Sequence, residues 1–270
     1  MTQTQTSSRG IAIRTAGVAS GLRMSAAATP FTENEILGLR SVVPTGGTCF
    51  DIGAAYGMYT FPLAHLVGKT GSVHSFEPLT GSYRLLALTK RLVGGKNIQL
   101  HRSAVGRESG WQPLTVPRQW GFPIRGRAFL AQDATSLGPN ERFTSHQEVG
   151  VPVTTVDETC RNAGVGQVDF LKIDVEGAEL AVLEGASETI AAHSPALLLE
   201  IEDRHVGKYG LRATDLVDYL TSRGYRMYVW KNREWTETDR VTVAVRNYLF
   251  SVALDRSRSK IPALAGQWAG

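Results

Sequence analysis

The chain has 270 residues, 42% hydrophobic and 20% charged, with 29 Lys and Arg against 25 Asp and Glu for a formal net charge of +4. That length buries a full core, and that composition excludes disordered and fibrous classes. No apolar run approaches the roughly 20 residues of a membrane span, and the two cysteines, Cys49 and Cys160, lack metal spacing or a disulfide framework. The reading at this stage is a cytoplasmic protein with no nucleic-acid partner, because no basic stripe accompanies the charge.

Residues 1–30 read as a polar N-terminal extension, disordered in part, residues 31–255 as one domain, and residues 256–270 as a tail. From Glu33 onward, strand-like runs alternate with helical patterns, the mark of a parallel α/β sheet. "ENEILGLRSVV" has helical spacing, "GGTCFDIG" reads as a first strand, and "YTFPLAHLV" as a helix with Pro62 in its first turn. "GSVHSFEP" follows as a strand, "GSYRLLALTKRLV" as a helix, and "NIQLHRSAV" as a third strand.

The rhythm then fails between about residues 106 and 150, an irregular segment rich in Gly, Pro, Arg and aromatics that reads as a variable acceptor-binding insertion. It resumes with "TTVDETCRNAG", a helix capped by Thr154 or Thr155, then the strand "QVDFLKID" and one helix over "GAELAVLEGASETIAAH". "PALLLEIE" is a fifth strand, "RATDLVDYLTSRG" a helix, and "YRMYVWK" and "NYLFSVAL" are strands joined through "NREWTETDR". A hairpin there puts an antiparallel strand at one edge of a sheet of at least seven strands.

Two features carry chemistry. "FDIGAAYG" joins the first strand to the first helix, where open α/β sheets bind nucleotides, yet it lacks the later glycines of a dinucleotide fingerprint. Asp51 at the strand end faces a ligand ammonium or organises the loop amides. Glu77, 26 residues on, can accept both hydroxyls of a ribose. The second feature is "FLKIDVEGAE", where a buried strand ends in Asp174, Glu176 and Glu179 with Lys172 just before them.

These segments resemble the successive motifs of FkbM-family S-adenosylmethionine-dependent O-methyltransferases: "CFDIGAAYGMYT", "VHSFEPLTGSYRLL" and "TTVDETCRNAGVGQVDFLKIDVEGAELAVLEGA". The resemblance runs from about Phe31 to Leu254. It implies a class I methyltransferase (Rossmann-like) α/β fold: a seven-stranded sheet, mostly parallel with an antiparallel edge strand, and helices on both faces. It implies S-adenosyl-L-methionine as cofactor. Asp51, Gly53, Ala54, Tyr56 and Gly57 then fall in the methionine-binding loop, Glu77 on the ribose, and Ser103 and Ala104 at the adenine edge. The family often has Asn where this chain has Ala55.

The implied acceptor is a hydroxyl of a sugar, oligosaccharide or glycosylated natural product. Such an oxygen needs its proton removed, by a general base, by a metal ion, or by both. Asp174 is the first catalytic candidate, His205 the leading base and His146 a second one. Asp174, Glu200 and Glu202 are candidate Mg²⁺ ligands, since Glu200 and Glu202 share a face of a regular strand. Glu176 and Glu179 are also explained by helix N-terminal charge, and Lys172 by pairing with an acid. Trp111, Trp120, Phe122 and Phe129 among Arg118, Arg125 and Arg127 suit a carbohydrate acceptor, a homodimer contact or a loop core. The rival readings are an NAD-linked oxidoreductase on the same sheet and a non-catalytic ligand-binding member.

Overall fold

The computed structural model describes residues 33–254, so the N-terminal extension and the C-terminal tail lie outside the described residues. Eight strands form the main sheet: β1 (Thr48–Ile52), β2 (Ser72–Phe76), β3 (Ile98–His101), β9 (Phe170–Ile173), β10 (Ala196–Glu200), β11 (Arg226–Lys231), β12 (Glu234–Glu237) and β13 (Asn247–Ser251). Their spatial order is β12-β11-β13-β10-β9-β1-β2-β3. From β10 to β3 all neighbours run parallel, while β13 is antiparallel to both β10 and β11. This is the class I methyltransferase architecture, with one strand more than expected.

The extra strand corrects the expected edge. β11 turns directly into β12 through Asn232 and Arg233, both at positive φ, and β12 takes the edge. The last strand, β13, inserts between β10 and β11 instead of closing the sheet.

Alternation along the strands sorts the core into two layers. Cys49, Val73, Phe170 and Leu198 point to the side covered by α1 (Thr60–Val67) and α2 (Thr80–Val93), through Phe61, Leu63, Val67 and Leu86. Phe50, Ile52, Leu171, Ile173, Leu197 and Leu199 point to the other side. There they meet α3 (Val156–Ala163), α4 (Glu179–Glu184), α5 (Ser187–His193) and α7 (Ala213–Thr221); the short α6 (Asp203–Val206) lies at the end of β10. The period-2 pattern of a strand buried on both faces is what makes these runs apolar throughout.

Three local expectations change. The helix expected over residues 33–43 is two 3₁₀ turns, Asn34–Leu37 and Leu39–Ser41. Gly38 lies between them against Trp230 and Trp235, and its carbonyl accepts the Trp235 indole N–H at 3.2 Å. The single helix expected over residues 177–193 is α4 and α5, divided at Gly185, where a Cβ would stand 2.1 Å from the Gly106 carbonyl oxygen. Asp157 caps the second piece, accepting from the Glu188 and Thr189 amides at 3.0 and 2.9 Å. The third strand stops at His101; Ala104–Val105 is a separate strand, β4, in another sheet.

That second sheet is the largest departure. The segment expected to be irregular contains β5 (Gly110–Gln119), β6 (Phe122–Pro123) and β7 (Phe129–Leu130), and leads into β8 (Ser145–Thr154). Their order is β4-β8-β5-β6, with β7 also paired to β5. β5 and β8 are antiparallel from Gly110↔Val153 to Arg118↔Ser145. Ala104, Leu114, Val116, Leu130, Val151 and Val153 give it a core of its own. Prolines at 113, 117, 123 and 152 hide this sheet from pattern reading, because proline demotes a run from strand status. Thr155 caps α3, accepting from the Glu158 amide at 3.0 Å, as one of the two expected residues.

Candidate active site

The chain leaves β1 toward β2 and β3 in one direction and returns toward β9 and β10 in the other, so a crevice opens at the ends of β1 and its neighbours. A cleft of about 150 Å³ lies there, with Gly53, Ala55, Glu77, Asp174 and Glu176 on the main-sheet side and Ser103 and Ala104 where the chain passes to the second sheet. The second sheet closes it with Leu114, Arg125, Gly126, Ala128, Phe129 and Leu130.

Gly53 is where the two strand tips converge. Its φ is +84°, and a Cβ would stand 1.9 Å from the Asp174 carbonyl oxygen, so only glycine permits the approach. Gly57 (φ +88°) has a different reason: a Cβ there would collide with Phe61 and Leu86, so this glycine serves the packing of the first two helices. Gly57 and the buried Ala54 are not among the cleft's lining, and Tyr56 is 54% exposed outside it.

Glu77 is buried, and its two oxygens accept the Ala55 amide at 3.0 Å and the Leu79 amide at 2.9 Å. Each oxygen keeps a further lone pair, so the carboxylate can hold its loop and still accept hydroxyl hydrogens from the cleft. Burial pushes its pKa up to about 7, against the pull of those amides and of Arg125. Asp51 stands behind this surface, outside the cleft lining. It accepts from Thr60 Oγ1 at 2.5 Å, and burial lifts it to about 6. It therefore organises the start of α1 from within the core.

Asp174 faces the cleft with its side chain 28% exposed and the buried Lys172 Nζ 3.4 Å from Oδ2. Burial alone would raise this acid, but Lys172 and Glu200 hold it below the ordinary carboxylate range. Glu200 is driven well above that range, by burial first and then by Asp174. One proton on the Glu200 side and a negative charge on Asp174 is the arrangement this favours. Lys172 is itself held by Asn247 Oδ1 at 3.1 Å and lies 5.1 Å from the centre of the Tyr59 ring. Asn247 Nδ2 donates to Glu33 Oε2 at 2.9 Å, and the Tyr59 hydroxyl bonds the same oxygen.

The remaining acids divide. Glu179, the first residue of α4, is buried and accepts the Val175 and Gly177 amides at 3.3 and 3.0 Å, so helix-start chemistry accounts for it. Glu176 belongs instead to the site. It sits in a left-handed turn (φ +59°), lines the cleft, and lies 2.9 Å from His205 Nδ1 and 3.6 Å from Arg127 Nη1.

That contact revises the role of His205. Its Nε2 is 2.8 Å from Arg127 Nη1, and an arginine only donates. Nε2 must therefore offer its lone pair there, and Nδ1, 2.9 Å from Glu176, is close to that carboxylate without the alignment of a hydrogen bond. A buried histidine whose basic nitrogen is already engaged has no free lone pair for an acceptor proton, and His205 does not line the cleft. His146 lies on β8 with Nε2 against the Asn140 carbonyl oxygen at 2.9 Å, also outside the cleft lining.

The candidate metal ligands come together only in part: Asp174 and Glu200 share a hydrogen bond, and Glu202 is engaged elsewhere. β10 ends at Glu200, and Glu202, still extended, leads into α6. Glu202 is taken by Arg204 at 2.6 and 2.9 Å and by Arg246 at 3.5 Å, while Asp174 is taken by Lys172. Among the described residues, no group of three or more His, Cys, Asp and Glu is arranged to hold a metal ion. The donor set is compensated by fixed cations and does not fit Mg²⁺.

The aromatic set is also split. Phe129 is buried and lines the cleft, whereas Trp111, Trp120 and Phe122 are 76%, 82% and 73% exposed and line no part of it. Arg125 and the turn from Asp174 to Glu176 are the contributions that pattern reading placed least securely. The signal for Arg125 was its place in the arginine-rich stretch, and nothing in its spacing separated it from Arg118.

No helix among the described residues is long and apolar enough to cross a membrane. Residues 51–227 match the family model of the methyltransferase FkbM domain. The chain is 32% identical over 224 residues to AMB antimetabolite synthetase AmbE of Pseudomonas aeruginosa, covering 74% of this chain and 10% of that protein. It is 26% identical over 178 residues to 31-O-demethyl-FK506 methyltransferase FkbM of Streptomyces tacrolimicus, covering 58% of this chain and 66% of the relative. A solved structure of methyltransferase FkbM from Methylobacillus flagellatus KT is similar at 18% identity and a TM-score of 0.48, over 77% of this chain and 44% of that one. The chain thus spans a tenth of the first relative and just under two thirds of the second. With the family model covering the crevice, the loop after β1 and the turn after β9, the chain belongs to the FkbM methyltransferase domain family.

Proposed function

We propose that this domain transfers the methyl group of S-adenosyl-L-methionine to an acceptor hydroxyl, with Asp174 taking the hydroxyl proton. The observation that carries the reading is the placement of Glu77 and Asp174 on one crevice, with the Gly53 backbone between them. Glu77 suits the ribose hydroxyls of the donor, and Ser103 and Ala104 border the same end. The donor supplies an activated methyl sulfonium. As its C–S bond breaks and the new C–O bond forms, the hydroxyl proton passes to the Asp174 carboxylate. The sulfonium leaves as a neutral thioether, so charge and atoms balance.

The acceptor class is a hydroxylated natural product, with a sugar or glycosylated acceptor as the narrower reading. The name of the Streptomyces relative specifies an O-demethyl acceptor, which supports oxygen as the methylated atom. The exposed Trp111, Trp120 and Phe122 stand away from the cleft lining and lend the sugar reading no contact there. No step is routed through Mg²⁺.

Calorimetry with S-adenosylhomocysteine and NAD separates the donor readings: homocysteine-derivative binding is expected and NAD binding is not. Mass spectrometry of methyl transfer to a panel of glycans and polyketide alcohols, with Mg²⁺ and with EDTA, then tests the reaction. A gain of one methyl group at an oxygen, at equal rates in both buffers, is the expected result. A requirement for the metal would reinstate it, and NAD binding alone would favour an oxidoreductase.

A further inference from the structure

The second sheet supplies a wall of the donor cleft, and one of its side chains stands out. Arg125 lines the same cleft as Glu77, and its charge acts on that carboxylate. Its guanidinium lies against Gly81, in the first turn of α2, where a Cβ would meet Cζ at 2.7 Å. The surrounding lining, Glu77, Pro78, Leu79, Ser103 and Ala104, is the adenosine end under the proposed reading. A planar guanidinium there can stack on a base or donate to ribose oxygens.

Two residues along, Arg127 fixes the wall. It donates to the buried His205 and approaches Glu176, so the insertion is tied to the turn that follows β9. The tie reaches the same cleft through Glu176.

We propose that Arg125 is a donor-binding residue contacting the adenosine half of S-adenosylmethionine, and that the Arg127–His205–Glu176 bridge positions it. The proposal rests on the donor reading above. It gives the insertion a part in the donor site, beyond the acceptor contact, dimer contact or loop core that its sequence suggested.

Two probes decide it: S-adenosylhomocysteine, and 5′-methylthioadenosine, which keeps the adenosine and lacks the amino-acid end. Arg125 is exposed, so Arg125→Ala is expected to fold like the parent. It should weaken both probes about equally, by roughly tenfold, a loss equal to 1.4 kcal/mol. His205→Ala should weaken both probes in the same proportion, and His205→Gln, which retains an acceptor for Arg127, should recover part of the loss. Unchanged affinity in Arg125→Ala, or a loss confined to S-adenosylhomocysteine, overturns the contact. If His205→Ala unfolds, Arg127→Ala on the half-buried surface replaces it, and unchanged affinity there overturns the bridge. Failure of the unsubstituted protein to bind either probe would instead overturn the donor reading itself.

Discussion

The two sheets that face each other across the cleft are built by different physics. On the main sheet, the acids at the strand ends each have an internal partner: Asp51 with Thr60, Glu77 with two amides, Asp174 with Lys172 and Glu200. On the second sheet, Arg125 is exposed, and Trp111, Trp120 and Phe122 are open to solvent. Internal partners fix geometry and protonation before any ligand arrives, at the cost of leaving little freedom to change residues. An exposed wall can vary in sequence while the fold stays intact.

The contrast is broken most directly at its central carboxylate. Asp174→Asn keeps shape and removes the proton acceptor, so turnover should fall by about 10²–10⁴-fold, the usual range for a lost general base. S-adenosylhomocysteine affinity should change far less. A larger loss of affinity than of turnover would make Asp174 a donor-binding residue.

Next in size is the buried cation. Lys172→Met leaves Asp174 and Glu200 without their counter-charge, and breaking such a buried pair costs about 3–5 kcal/mol. Urea unfolding reads this directly, and Lys172→Arg should restore part of it. A loss below about 1 kcal/mol would place Lys172 with weakly coupled surface pairs.

Glu179 sharpens the comparison through pH. Burial raises its folded pKa to about 7 from a reference of 4.5, against the pull of its amide partners. A raised acid means that the native state holds more protons than the unfolded chain between those values. Stability is therefore greatest below about pH 4.5 on this account and falls as pH rises toward 7. Glu77, raised to about 7 by burial, acts in the same direction. Glu179→Gln keeps an oxygen for the Val175 and Gly177 amides and removes one titration. The decline in urea midpoint across that window should become shallower, and an unchanged slope would assign it to other groups.

The smallest effect belongs to the exposed wall. Trp120→Ala should leave unfolding free energy within about 0.5 kcal/mol and S-adenosylhomocysteine affinity unchanged. A fall in Tm of several degrees would show that this side chain packs in solution.

Much of the main sheet was legible because its central strands are short, apolar and followed at once by a glycine or an acid, as at Gly53, Glu77 and Asp174. Residues 48–52, 72–76 and 170–173 are buried strands for which local pattern and fold agree. The acids at 51, 77 and 174 stand at those strand ends or just beyond them, so strand order was enough to draw attention to them. Pattern could not tell whether an acid faced the crevice or the core, and Asp51 faces Thr60. The histidines show the same limit: type and position nominated His205, but Arg127 engages its Nε2 and Glu176 lies beside its Nδ1.

By itself, the sequence determined the α/β alternation, the loop after the first strand and the family motifs, because periodicity and glycine placement act over a few neighbouring residues. Tertiary structure alone decided that residues 104–154 form a second sheet, that β13 inserts antiparallel beside β10, and that Arg125 shares a cleft with Glu77. Those outcomes depend on pairings between distant segments, where the partner supplies the hydrogen bonds, burial and charge that a local stretch of chain does not contain.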